Sequence, residues 1–327
     1  MGDALPIVVE AAELRGDARQ LLDPAPPKHQ LDEVLDRSRG PVAEQLVEGG
    51  RPLFGRDGRV GQDIECPRIP DHARGDVELG SPLLERAVAH GDLEAVKKAI
   101  GPHTAGILIE PVQGEGGVRT APVSFFKALR QLCDEHGLLL AFDEVQTGMG
   151  RTGDLFAYKR VGVTPDVMSL AKALGGGFPI GAVLATAEAA SGMTPGSHGS
   201  TFGGNPLAIA SANAVLDVML KPGFFDHVQK MSLLLKQKLA SVVDRYPTVL
   251  SEVRGEGLLV GVKAVVPSGD LVNALRNEKL LTVGAGDNVV RFLAPLIVSE
   301  AEIDESVQML ERACVALSGP QLKKAAG

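Results

Sequence analysis

The stretch Leu138–Gly177 reads LLLAFDEVQTGMGRTGDLFAYKRVGVTPDVMSLAKALGGG. It holds two apolar runs. Leu138 to Phe142 ends in two acids, Asp143 and Glu144, and Asp166 to Leu170 ends just before Lys172 and the glycines Gly175 to Gly177. Runs of this length, mostly uncharged until their ends, predict strands buried on both faces of a parallel sheet. In open α/β sheets the ligand sits beyond the carboxyl ends of the strands, so one carboxylate and one amine meet at the binding edge. A lysine that forms a Schiff base with pyridoxal phosphate (PLP), with an acid facing the pyridine nitrogen, has this pairing. A surface lysine beside a helix-capping acid has it too, and two strand ends alone leave both readings open.

Working outward, Thr104 to Ile109 (TAGILI) reads as a buried strand ending at Glu110, after a short helix from Leu93 to Ile100. The loop Pro111 to Thr120 carries Gln113-Gly-Glu-Gly-Gly117. A helix follows, with Pro122 near its first turn, Gly137 past its end, and Phe125, Leu129, Leu132 and Cys133 on its inner face. On the other side lie a strand from Gly181 to Thr186 and a helix capped by Asn205 with Pro206 in its first turn. A long amphipathic helix from about Phe225 to Val243 comes next. Alternating strand and helix is the α/β signature, which predicts a large α/β domain over residues 91–245. Beyond Tyr246-Pro247 the pattern changes. Strands at Gly257 to Lys263, Leu280 to Val283 and Val289 to Phe292, with helices at Asp270 to Asn277 and Glu300 to Leu317, predict a small α+β domain over 246–318. Residues 319–327 read as a frayed tail.

Residues 1–90 differ in kind. They hold ten arginines and one lysine, against nine and thirteen in the remainder, so the two parts do not share one composition. Val8 to Leu14 and Leu31 to Val47 read as short helices, strand-like runs are nearly absent, and an irregular or loosely packed segment is expected. It reads either as a polar extension or as a replaced or out-of-frame segment.

The net charge of -8 and a pI near 5.5, with no Lys/Arg cluster, argue against a nucleic-acid partner. Cys66, Cys133 and Cys314 are far apart, which implies neither disulfides nor a metal site. No apolar run approaches the ~20 residues that span a bilayer. The expectation is a soluble, cytoplasmic protein with no membrane partner. Gly148-Met-Gly-Arg-Thr-Gly153 is formally GxGxxG, but it starts several residues after its strand and is a weak dinucleotide fingerprint. No GxxxxGK[ST] occurs, so Asp143-Glu144 is not the acid pair of a P-loop ATPase.

The motifs AFDEVQTGMGRTG (141–153), SLAKALGGGFPIGA (169–182) and HGSTFGGNPLA (198–208), in this order and spacing, resemble the class III aminotransferases of the PLP fold-type I superfamily. The resemblance covers about residues 91–318. Within the family, LATAEAASGM (184–193) and DNVVRFLAPLIVSEAEID (287–304) are most similar to the members acting on N-acetylornithine. The fold so implied is the PLP-dependent transferase fold type I. Its large domain, with a mostly parallel sheet, would be incomplete here and joined to the small C-terminal α+β domain.

The resemblance implies that Lys172 bonds the cofactor and moves the substrate α-proton, and that Asp143 keeps the ring nitrogen protonated. Val145 would pack on one ring face, and Gln146 would lie near the phenolic oxygen. Ser200 and Thr201 would reach the phosphate of the other subunit's cofactor. Arg291 would grip the substrate α-carboxylate, and Glu115 would pair with Arg291 when an amine must be accommodated. Glu110 reads as a structural network residue. The implied reaction passes an amino group between N-acetylornithine and 2-oxoglutarate in two ping-pong halves, in a homodimer. Ornithine, succinylornithine and 4-aminobutyrate are alternative donors. In the family, a phosphate-binding loop and a ring-stacking aromatic precede the first strand seen here. Residues 1–90 show neither, so the competing expectation is a weakly active or non-catalytic remnant that holds cofactor poorly.

Overall fold

A computed structural model describes residues 8–9, 88–102, 104–193 and 199–318. The expectations for a loose N-terminal segment, its missing phosphate loop and the C-terminal tail therefore fall largely outside the described residues. The exception is Val8–Val9, expected in a helix, which forms a short strand instead. In chain order the elements are β1 (Val8–Val9), α1 (Leu93–Ala99), β2 (Gly106–Ile109), β3 (Val112–Gln113), β4 (Arg119–Thr120), α2 (Val123–His136) and β5 (Leu139–Asp143). Next come α3 (Ala157–Val161), β6 (Val167–Leu170), a 3-10 turn (Lys172–Gly175), β7 (Gly181–Ala185), α4 (Ala187–Ala190), α5 (Pro206–Met219) and α6 (Phe224–Arg245). The chain continues through β8 (Leu250–Glu256), β9 (Leu259–Ala264), α7 (Ser268–Asn277), β10 (Val283–Ala285), β11 (Val289–Phe292) and α8 (Glu300–Leu317).

The first sheet has the order β1-β7-β6-β5-β2. Neighbouring strands are parallel except β6 and β7, which are antiparallel, so β1 and β7 run opposite to β6, β5 and β2. Local chemistry sets its helices. Gly137 adopts φ 63° after α2, and both its own N–H and that of Leu138 return to the Cys133 carbonyl. Asn205 caps α5 by accepting the Ala208 N–H at 2.9 Å, with Pro206 at the first helical position.

Among the described residues burial in this sheet is one-sided, where strands buried on both faces were expected. Leu140, Phe142, Met168 and Leu170 are buried on one face, where Phe142 meets Phe126 of α2 edge-on at 5.9 Å. Their alternates face outward: Leu139 is 44% exposed, and Leu108 on β2 is 56% exposed. β2 is shorter than expected and forms the sheet edge among the described residues.

The second sheet, β10-β11-β9-β8, is antiparallel. Val260, Val262, Val290 and Phe292 pack under Leu235 and Leu239 of α6, Leu271 of α7 and Leu310 of α8. α8 starts at a capping box in which Ser299 and Glu302 satisfy each other's backbone N–H groups. The opposite face of β9 and β11 is covered by the β3–β4 hairpin, through Val112 and Val118 against Leu259 and Val289. β8 was not expected, and β10 begins where a strand was expected to end. Among the described residues, no single helix is long and apolar enough to cross a membrane.

Candidate active site

The carboxyl ends of β2, β5 and β6 bring charged residues to one edge. Asp143 ends β5, where its Oδ1 accepts the Val145 N–H at 3.0 Å and the Ser169 hydroxyl at 3.1 Å. Ser169 is the residue of β6 directly opposite Asp143 in the ladder, so strand register aims the carboxylate. Lys172, three residues further on, is solvent-exposed and held at φ 48°. A non-glycine residue in that region carries strain on the order of 1–3 kcal/mol, a cost that clusters at functional sites. Glu110, just past β2, senses the whole group. Burial pushes its carboxyl up, the Gly114 N–H pulls it down, and Asp143, Lys172 and Glu115 all act on it electrostatically.

A second cluster forms around Arg291 on β11. Its side chain is 5% exposed, and its Nη1 donates to Glu115 Oε1 at 2.7 Å and to Gln146 Oε1 at 3.3 Å. Among the described residues, the buried Nε of Arg291 has no hydrogen-bond partner. A buried unpaired donor costs about 1–3 kcal/mol, so this guanidinium is set up to receive a further acceptor. Glu115 is 70% exposed and can leave the pair at little cost in packing. The cluster is thus a buried cation with one fixed neutral acceptor and one removable anionic one.

The structure brings Asp143 and Lys172 to adjacent strand ends, and joins Glu115, Gln146 and Arg291 by hydrogen bonds. Val145 is half-buried beside Asp143. Ser200 and Thr201 lie in an exposed loop before α5, with no hydrogen bond to either cluster among the described residues. Near them Phe202 is 69% exposed.

The roles of three residues near these clusters escaped the sequence reading. Ser169 orients Asp143, and the only sequence signal was a polar residue inside an apolar strand. Glu144 is buried, and it accepts the Ala157 and Tyr158 N–H groups and the Thr147 hydroxyl at 2.8–2.9 Å. Burial pushes its carboxyl up while these three donors pull it back down. It therefore caps α3 and is spent on structure. Arg151, within Gly148–Gly153, donates to the Ala294 carbonyl at 2.5 Å, and its own carbonyl accepts the Leu258 N–H at 2.9 Å. That loop is a seam between the two sheets.

The aminotransferase class-III family model matches residues 67–314. The chain is 84% identical over 239 residues to acetylornithine aminotransferase 1 of Bradyrhizobium diazoefficiens, a match covering 73% of this chain and 59% of that protein. It is 60% identical over 231 residues to acetylornithine aminotransferase of Brucella suis, covering 71% and 57%. The solved N-acetylornithine aminotransferase of Stenotrophomonas maltophilia is 40% identical with a TM-score of 0.59, over 65% of this chain and 57% of its own. An ornithine aminotransferase structure from Toxoplasma gondii, described with partial occupancy of PLP at its active site, has a TM-score of 0.68 at 33% identity, over 72% and 57%. The chain spans about three fifths of the length of the curated relatives it matches.

Proposed function

Because the chain belongs to the class III aminotransferases, a family of PLP-dependent enzymes, we propose that it moves an amino group between N-acetylornithine and 2-oxoglutarate. The observation that carries this reading is the Arg291–Glu115–Gln146 cluster beside the Asp143 and Lys172 strand ends. A transaminase of this kind must accept a carboxylate in one half-reaction and an amine-bearing chain in the other at the same place. A buried arginine with a removable glutamate provides for both. The names of the relatives at 84% and 60% identity supply the choice of donor.

The residues present fit the cofactor. The hydrogen bonds from Val145 and Ser169 both fall on Asp143 Oδ1, which leaves Oδ2 for a ring N–H. The carboxylate would hold that nitrogen protonated, because the opposite charge favours each ionised form. Lys172 would supply the amine that bonds the cofactor and then moves the proton at the substrate α-carbon. Val145 would lie on the ring and Gln146 near its phenolic oxygen. Ser200 and Thr201, exposed on their loop, would serve the phosphate bound in a second copy of the chain. When bound, PLP supplies an electron-withdrawing ring that stabilises negative charge developing at the substrate α-carbon. Arg291 would orient the substrate by holding its carboxylate through two parallel N–H donors.

Borohydride reduction of the full chain with PLP present tests the reading. Peptide mapping is expected to find the label on Lys172. A label mainly on another lysine, or no label at all, overturns it.

A further inference from the structure

Glu115 reaches Arg291 from the Gly114–Val118 loop. Its backbone carbonyl accepts the Gly286 N–H at 2.8 Å, which ties the Gly114–Val118 loop to the turn between β10 and β11. That contact is backbone against backbone: a Cβ on Gly117 would lie 2.7 Å from the Gly286 carbonyl oxygen. The turn leads directly into β11, whose third residue is Arg291. One turn therefore sits behind both members of the pair.

The turn is itself fastened. Asp287 accepts from Arg254 Nη1 at 2.6 Å and from Lys263 Nζ at 2.9 Å. Arg254 also pairs with Glu252 at 2.8 Å and donates to the Gly117 carbonyl at 3.4 Å, so it reaches both loops. Lys263 and Arg254 together hold the Asp287 carboxyl down at about 2. Asp287 and Asn288 both have positive φ, 56° and 57°. The Asn288 side chain fixes the turn from the far side through Ser268 N–H and the carbonyls of Ala264 and Val266.

The geometry points to Asp287 and Arg254 as positioning residues that latch the Gly286–Asn288 turn, hold Glu115 against Arg291 and thereby set donor specificity. This rests on the proposed transaminase reading. Neither residue need touch substrate. Their effect runs through Glu115, so loosening them should act on the amine-donor half-reaction and spare the carboxylate half.

The test uses the full chain with Asp287→Gly, which removes the carboxylate while tolerating the backbone conformation, and Arg254→Gln. In each, KM for N-acetylornithine is expected to rise about tenfold, or ~1.4 kcal/mol, with kcat within about twofold and KM for 2-oxoglutarate unchanged. Glutarate, an unreactive dicarboxylate, should bind at least as tightly as before, because Arg291 loses a competing anion. The double variant should show little beyond either single change, because both cut one latch. Hydrogen exchange at the Gly286 amide should quicken in both variants. Equal losses in both half-reactions, weaker glutarate binding, or unchanged Gly286 exchange would each overturn the latch. Exchange and glutarate binding are read without turnover. A failure of Lys172 labelling therefore sinks the transaminase reading separately from this one.

Discussion

Asp143 keeps one oxygen on Val145 and Ser169, while Glu144 beside it is consumed by Thr147, Ala157 and Tyr158. Replacing Asp143 with Asn preserves shape but removes the charge proposed to hold the ring nitrogen protonated. Turnover of the loaded protein is expected to fall at least ~100-fold, the scale for losing one positioned electrostatic contact. Near-normal turnover in Asp143→Asn would remove Asp143 from the mechanism. Both acids are visible in the sequence as the charged end of an apolar run, but their division of labour is not. The donors to Glu144 include backbone N–H groups across a loop, which no side-chain pattern encodes. Arg291 and Glu115 were visible only through resemblance to a family. They are 176 residues apart, and neither lies in a segment whose periodicity marks it.

Helix ends were the most legible elements, because a cap is a local transaction. Pro122, Gly137, Asn205 and Pro206 stand where the structure starts or stops α2 and α5. Gly137 has φ 63° and nothing within 4 Å of where a Cβ would stand, so Gly137→Ala carries backbone strain alone. It is expected to cost about 1–2 kcal/mol, read as a lower urea midpoint at unchanged slope. An unchanged midpoint would mean that the α2 terminus is not held in this conformation. Strands were less legible, because burial belongs to whatever covers a face. The run at Leu138–Phe142 is apolar on both sides, yet among the described residues Leu138, Leu140 and Phe142 are enclosed while Leu139 between them is 44% exposed. β8 escaped notice because Glu252, Arg254 and Glu256 give it the composition of a loop. At the edge of a sheet those charges pair with neighbours, Glu256 with Arg160 and Glu252 with Arg254.

At the scale of the molecule, two separate cores meet along a narrow seam. Arg151 donates across it to Ala294, and Leu258 donates back to Arg151. Gly257 has φ 56°, and a Cβ there would lie 2.4 Å from both the Arg151 carbonyl oxygen and the Thr152 backbone. Nothing at that contact can rotate aside. Gly257→Ala is expected to destabilise by about 2 kcal/mol or more and to pull the two cores out of step. Urea unfolding followed by far-UV and near-UV circular dichroism should then give two curves that no longer coincide. Coincident curves at the original midpoint would show that the seam yields. Apart from the family resemblance, the sequence marked this loop as a poor nucleotide fingerprint, because Arg151 within it answers to a neighbour more than a hundred residues away. On the proposed reading, one consequence concerns how such a protein changes over generations. The residues that would retain the cofactor stand at the ends of β5 and β6, whereas those that would choose the donor stand on the Gly114–Val118 loop and the Gly286–Asn288 turn. Heritable change in the second set can drift toward a new amine while the first stays under selection, so diet and machinery can diverge independently.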